Sequence, residues 1–287
     1  MDKEQLKSEI VKYWSEKRRG NYVELAEQHD LLLTKYLKVN PADLFEQIYE
    51  NKFIFQPFSK IKWSEFLKSA KLAEYLQPEY VDAALRVASA RRPAIGKGEF
   101  LLVSCFSNLG FTKNKGDLID LNNGKKCEIK GMRSTLSGDN NRYYQMNKSL
   151  MYSIYSLFDT GAHFDHFNRE CAKELDEMLK TKPKLIKKVL GFLQNIRPAD
   201  ESLAEYFVEL YNTKPDLFIT VGAMQLFTYM YLQDASYLMM VDNDGFCCFE
   251  KPETVFDAQK IIANLNLSSW ETGDYGMLIS MKNEENN

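Results

Sequence analysis

Between Gly116 and Gly131 the chain reads GDLIDLNNGKKCEIKG. Leu118, Ile119, Leu121, Cys127 and Ile129 are apolar, with Asn-Asn-Gly between them. Asn123-Gly124 accepts positive φ, so the stretch predicts two short strands and a tight turn. Those strands also carry Asp117, Asp120, Glu128 and Lys130. Side chains alternate along a strand, so Glu128 and Lys130 share one face and Ile129 takes the other. With the turn centred on Asn123-Gly124, positions summing to about 247 pair across the hairpin. That register sets Asp117 opposite Lys130, with Glu128 close by. Glu99, on the helix just upstream, could lie over the same edge.

Such a group has a chemical use. Two or three carboxylates offer hard oxygens to Mg²⁺, with waters and a substrate phosphate completing the shell. Bound metal lowers the pKa of a water and polarises a phosphoryl oxygen. A lysine alongside positions the attacking hydroxide or stabilises charge in the transition state. Without metal or phosphate, packed carboxylates repel one another and take up protons. The plain alternative is that Asp117 opens a turn and Glu128 and Lys130 form a solvated cross-strand pair.

The charge distribution points to the same place. Residues 91–150 hold 11 Lys/Arg against 5 Asp/Glu, inside a chain whose net charge is −3. A basic segment in an otherwise acidic chain suggests an anionic partner there; chance clustering of solvated lysines is the alternative.

The elements that must position these residues can be read by periodicity. Residues 3–16 and 21–36 show helical spacing. Asn40-Pro41 opens a further helix, Ser64 caps one running to about Leu76, and Gln77-Pro78 starts another ending near Ala90. This is a helical N-terminal region over 1–92, bounded near Arg91-Arg92-Pro93. Gly96-Lys97-Gly98 leads into EFLLVSCFSNLG, read as a helix stopped by Gly110. The hairpin follows, then the polar loop SGDNN and a helix over RYYQMNKSLMYSIYSLF. Further helices run from about 166 to 212 and over 216–232. YLMMVD and FCCFE form a second hairpin around Asn243-Asp244-Gly245. A helix near 253–265 and a strand at GMLISMK finish the chain. The class is α/β: a small mixed sheet flanked by helices, with a helical N-terminal region and a helical insertion at about 163–214.

Glu99, Asp117 and Glu128-Ile129-Lys130, in that order and context, resemble the PD-(D/E)xK nuclease superfamily. That family includes restriction endonucleases and many phage, repair and recombination nucleases. Its pattern is a helix bearing Glu, a strand bearing Asp, an antiparallel strand bearing (D/E)-x-K, then a helix. The resemblance covers about 60 residues and implies a restriction-endonuclease-like core over 93–287. It implies that Asp117, Glu128 and the Ile129 carbonyl ligate Mg²⁺ or Mn²⁺. Lys130 would act on the nucleophilic water, and Glu99 would order a second metal or water. The implied activity is a DNA endonuclease leaving 5′-phosphate and 3′-hydroxyl ends. An RNA endonuclease with the same metal core, or an inactive nucleic-acid-binding or assembly protein of the same fold, are the alternatives. Gly116 stands where the pattern has Pro. Gln145 lacks the Tyr four residues on that marks the RecB-like exonuclease branch; Ser149 is there instead.

Lys113, Lys115, Lys125, Lys126, Arg133, Arg142 and Lys148 flank the motif and are candidates for phosphate contacts; each could equally be a solubility charge. Gln145 is a candidate for backbone contacts, and Tyr143 or Tyr144 for base stacking or core. His163, Asp165 and His166 read as a helix start with surface histidines, a metal site being the weaker alternative. Asp242-Asn243-Asp244-Gly245 reads as a hairpin turn because its acidic spacing fails for calcium. Cys105 and Cys127 read as small core residues. Scattered cysteines without C-x-x-C argue for a reducing compartment, and no apolar run reaches the length of a membrane span. The expectation is an intracellular, cytoplasmic protein partnered by nucleic acid, DNA foremost, with a homodimer left open.

Overall fold

α1, Lys3–Ser15, begins at Asp2, whose carboxylate accepts from the N–H of Gln5 while the Gln5 side chain accepts from the N–H of Asp2. This reciprocal cap satisfies two donors the first turn leaves open. Leu6, Ile10, Tyr13 and Trp14 then fall on one buried stripe. α2, Tyr22–Tyr36, buries Leu25, Ala26, His29 and Leu33 against it. Both helices agree with the sequence periodicity.

The computed structural model describes residues 2–38, 60–87, 98–113, 116–131, 134–136, 169–181, 216–270 and 277–282, with isolated positions between. These fall into two units. One comprises Met1–Met132 with Gln233–Glu250, the other Arg133–Leu232 with Lys251–Asn287.

The first unit is built on a six-stranded mixed sheet. Its strands are β1 (Lys60–Lys62), β2 (Leu109–Phe111), β3 (Leu118–Asp120), β4 (Lys126–Gly131), β6 (Tyr237–Val241) and β7 (Gly245–Glu250), in spatial order β1-β7-β6-β4-β3-β2. β2, β3 and β4 form an antiparallel meander, and β4 pairs parallel with β6. A parallel pair needs a long crossover, here residues 132–236. β6 is buried along its whole length, as a central strand covered on both faces must be.

Helices flank this sheet: α3 (Trp63–Ser69), α4 (Glu79–Leu85) and α5 (Glu99–Cys105), with a 3₁₀ turn at Leu72–Glu74. α5 is buried from Phe100 through Cys105, so only Glu99 at its start reaches toward solvent. Trp14 of α1 stacks on Phe100 at 5.1 Å and 10° and on Phe111 of β2 at 6.2 Å. The Tyr13 hydroxyl donates to the Val103 carbonyl at 2.5 Å. The N-terminal helices and the sheet therefore share one apolar cluster.

Several boundaries differ from expectation. α3 starts at Trp63 without a Ser64 cap, because the Trp63 N–H donates to Asp244 O at 2.9 Å and its indole N–H to Asp242 O at 2.8 Å. It stops at Ser69, two residues before Lys71 turns left-handed (φ 56°), and does not reach Leu76. α4 ends at Leu85 instead of near Ala90. α5 ends at Cys105; Gly110 is not its stop but sits in β2, opposite Ile119. β1 and β2 were not expected. The predicted boundary near 91–93 and the helix after Asn40-Pro41 fall mainly or wholly on residues outside those described.

The second unit contains β5 (Ser134–Thr135), α6 (Arg169–Thr181), α7 (Leu217–Leu232), α8 (Val255–Ala263), β8 (Leu265–Trp270) and β9 (Met277–Met281). α8 opens with a Thr254–Asp257 capping box. β5, β9 and β8 make a small antiparallel sheet, in which β5 and β8 were not expected. α7 packs on α6 and α8 with buried Val221, Met224, Leu226 and Met230. Among the described residues no helix is long and apolar enough to cross a membrane.

Candidate metal centre

The hairpin that raised the chemistry forms, but in another register. Leu118 pairs with Cys127 and Ile119 with Lys126. The loop is Leu121–Gly124, four residues where two were expected. Asp120 builds it: its carboxylate Oδ1 accepts from the Asn122 N–H at 2.9 Å and from the Asn108 amide at 3.1 Å. The Gly124 N–H closes back on Asp120 O at 2.8 Å, with Gly124 at φ 76°. Asp120 is thus a turn residue. Continued by one residue, the register sets Asp117 beside Glu128 and not opposite Lys130.

The Asp117 N–H donates to Cys127 O at 3.0 Å, and its carboxylate Oδ2 accepts from the Ile129 N–H at 2.8 Å. The carboxylate is thereby held against β4. Gly116 before it has φ 85°, which the ring of proline cannot adopt. The loop is closed further by Thr112, whose hydroxyl donates to the Gly116 carbonyl and whose N–H donates to Asp117 O at 3.2 Å.

Glu128 and Lys130 share one face of β4, as their spacing predicts, with Lys130 Nζ 3.3 Å from Glu128 Oε1. Glu128 is buried; Lys130 is half-buried. Glu99 sits at the first turn of α5 after Gly98, whose φ is 93°. Its Oε1 accepts from the Gly96 N–H at 2.8 Å.

The three carboxylates act on one another. Burial, then the Glu128 charge, pushes Asp117 up to about 6, against the pull of the Ile129 N–H and Lys130. Burial, then the Asp117 charge, pushes Glu99 up to about 7, with Glu128 adding to the rise. The Gly96 N–H and the Arg19 guanidinium oppose it. Elements separated in sequence therefore bring Glu99, Asp117, Glu128 and Lys130 into one electrostatic neighbourhood. Such crowding of buried and half-buried carboxylates concentrates negative charge around Lys130.

Among the described residues no three His, Cys, Asp or Glu side chains are arranged to hold one ion between them. Glu99 is turned to its own loop through Gly96. Asp117 and Glu128 remain as a two-carboxylate edge of hard oxygens, a donor set that suits Mg²⁺ or Mn²⁺ completed by waters and phosphate.

Arg19 was missed. It lies in the run Lys17-Arg18-Arg19-Gly20, which reads as ordinary basic charge at a helix C-terminus. Only its nearness to Glu99 in space marks it. Of the candidate nucleic-acid contacts, Lys113 is exposed beside the site loop. Lys126 Nζ is paired with Asp234 at 2.6 Å, and Lys125 lies over the Tyr237 ring at 5.1 Å. Lys115, Arg133, Arg142, Gln145 and Lys148 fall outside the described residues, as do Tyr143, Tyr144, His163, Asp165 and His166.

Elsewhere the turn reading of Asp242–Gly245 agrees with the structure. Asp242 Oδ1 accepts from the N–H groups of Asp244 and Gly245, both at 2.8 Å. Cys105 and Cys127 are buried as expected. Comparison of the chain with protein-family models, with curated proteins and with solved structures gave no match.

Proposed function

We propose that this chain is a Mg²⁺- or Mn²⁺-dependent nuclease of the PD-(D/E)xK type, acting on DNA internally and leaving 5′-phosphate and 3′-hydroxyl ends. One observation carries the reading. Asp117, immediately before the first strand of a hairpin, sits against the Glu128–Lys130 strand through its bond from the Ile129 N–H, while burial and the Glu128 charge raise its pKa. A solvated cross-strand pair would leave the Asp117 carboxylate exposed and near its ordinary value.

The order of elements supports it too: Glu99 on a helix, Asp117 just before a strand, and Glu128-Ile129-Lys130 on the antiparallel neighbour. A bound divalent ion would polarise the scissile phosphate and lower the pKa of its water. Asp117 and Glu128 would hold that ion, with the Ile129 carbonyl as a further donor. Lys130, already at the Glu128 carboxylate, carries the positive charge that would orient the nucleophile and offset charge on the phosphorus oxygens. Glu99 would order a water or a second ion.

The test is cleavage of plasmid, linear duplex, single-stranded DNA and RNA in Mg²⁺, Mn²⁺ or EDTA, beside Asp117→Ala and Lys130→Ala. The expected result is metal-dependent cutting of DNA, reduced by about 10²-fold or more in each variant. Preference for RNA would move the substrate while keeping the chemistry. Equal activity in the variants, or none in any metal, would remove the assignment.

A further inference from the structure

We infer that Arg19, in the segment between α1 and α2, is a phosphate-binding residue of this same site, seated on Phe111 to grip the sugar–phosphate backbone beside the carboxylates. The inference rests on the nucleic-acid reading above and adds a residue that the nuclease motif does not contain.

The geometry begins at the end of α1. The Lys17 carbonyl accepts from the Phe111 N–H at 2.8 Å, which ties the segment after the helix to β2. The Lys17 ammonium does not face solvent: it donates to Ser107 O at 2.5 Å and lies 4.1 Å from the Tyr13 ring centroid. Lys17 is therefore an anchor. Arg18 then adopts φ 65°, a conformation unfavourable for a residue with a Cβ. That turn carries Arg19 over Phe111, with its Cζ 5.3 Å from the ring centroid. The Asn21 side chain accepts from Arg19 Nε at 3.1 Å. Ring and amide together restrain the guanidinium.

Phe111 is the residue opposite Leu118, the immediate neighbour of Asp117. Arg19 is thus fixed on the strand that pairs with the Asp117 strand, and its charge acts on the Glu99 carboxyl. A planar guanidinium with several N–H donors, stacked on an aromatic ring and set beside a candidate hydrolytic site, matches the fork geometry of a phosphodiester oxygen pair.

The experiment measures binding of short labelled DNA, duplex and single-stranded, by fluorescence anisotropy in EDTA across a salt series. Wild type is compared with Arg19→Gln, Arg19→Lys and Lys7→Ala, an exposed cation on α1. Thermal denaturation of each variant checks the fold, and Arg19→Lys guards against loss of the stacked side chain. We expect Arg19→Gln to weaken binding by about tenfold and to lower the salt slope by about one. Arg19→Lys should keep the slope but lose part of the affinity. Lys7→Ala should match wild type. Binding and slope unchanged in a folded Arg19→Gln, or no binding by wild type, would overturn the inference. The cleavage assay separates the two claims: no metal-dependent cutting with Arg19-dependent binding retained would remove the nuclease reading alone.

Discussion

The Asp117 carboxylate accepts a hydrogen bond from the backbone N–H of Ile129 at 2.8 Å. This contact aligns a carboxylate at the open end of one strand with the Glu-x-Lys face of the next. It also sets an electrostatic problem. Glu128 lies in the same buried edge, and the two negative charges favour protonation of one of them. A bound divalent ion would relieve that repulsion.

Glu99 and Asp117 have pKa values raised from 4.5 and 3.8 to about 7 and about 6. A carboxyl raised on folding binds more protons in the folded state than in the unfolded chain. Its contribution is therefore present below the unfolded pKa and is lost as pH rises through the folded pKa. In EDTA the melting temperature of Glu99→Gln should match wild type near pH 4 and exceed it by pH 8. Added Mg²⁺ should raise the wild-type melting temperature most at the higher pH. A constant difference between the two proteins across this window would show that Glu99 is not buried beside Asp117 as described.

Trp14 joins the N-terminal helices to the sheet by stacking on Phe100 and donating its indole N–H to His29 Nδ1 at 3.0 Å. Trp14→Ala leaves a cavity and strips the acceptor of its donor. The expected loss is about 3–5 kcal/mol, measured by urea unfolding. Trp14→Phe should recover most of the packing but not the bond to His29. A loss under about 1 kcal/mol for Trp14→Ala would mean the helices do not share the core of the sheet.

Gly98 precedes Glu99 at φ 93°, and a Cβ placed there would approach Val241 Cγ1 to 2.7 Å. Gly98→Ala therefore carries backbone strain and a steric clash together. It should lower stability by about 1–3 kcal/mol and shift the start of α5 that holds Glu99. Thermal denaturation checks the first effect. The second should appear as a loss of the pH-dependent gain predicted for Glu99→Gln when both changes are combined. Wild-type stability in Gly98→Ala would refute the conformation assigned to this loop.

Much of the local structure was legible in the sequence, because local structure depends on near neighbours. The buried stripes of α1 and α2 follow from apolar spacing. Asn-Asn-Gly and Asn-Asp-Gly announced both hairpins. The two-residue step placed Glu128 and Lys130 on one face. Where the reading failed, the competing effect came from elsewhere in the chain. Ser64 did not cap α3 because backbone carbonyls at 242 and 244 took the donors of Trp63. Gly110 did not stop α5 because it was required in a strand, where a Cβ would meet the Leu121 side chain at 3.0 Å.

Residue types and spacing thus determined by themselves that a carboxylate–lysine hairpin exists and which residues compose it. Tertiary structure decided the rest. β1 has three residues and pairs with β7 far along the chain, Lys60 opposite Cys247, so no local pattern could announce it. The hairpin register depended on Asp120 finding Asn108 as well as its own turn. The raised pKa of Glu99 sets burial and the charges of Asp117 and Glu128 against the Gly96 N–H and Arg19, contributions from positions scattered over the first unit. Electrostatic fields and strand pairing act through space across the folded chain, and a linear order of residues records neither distance nor burial.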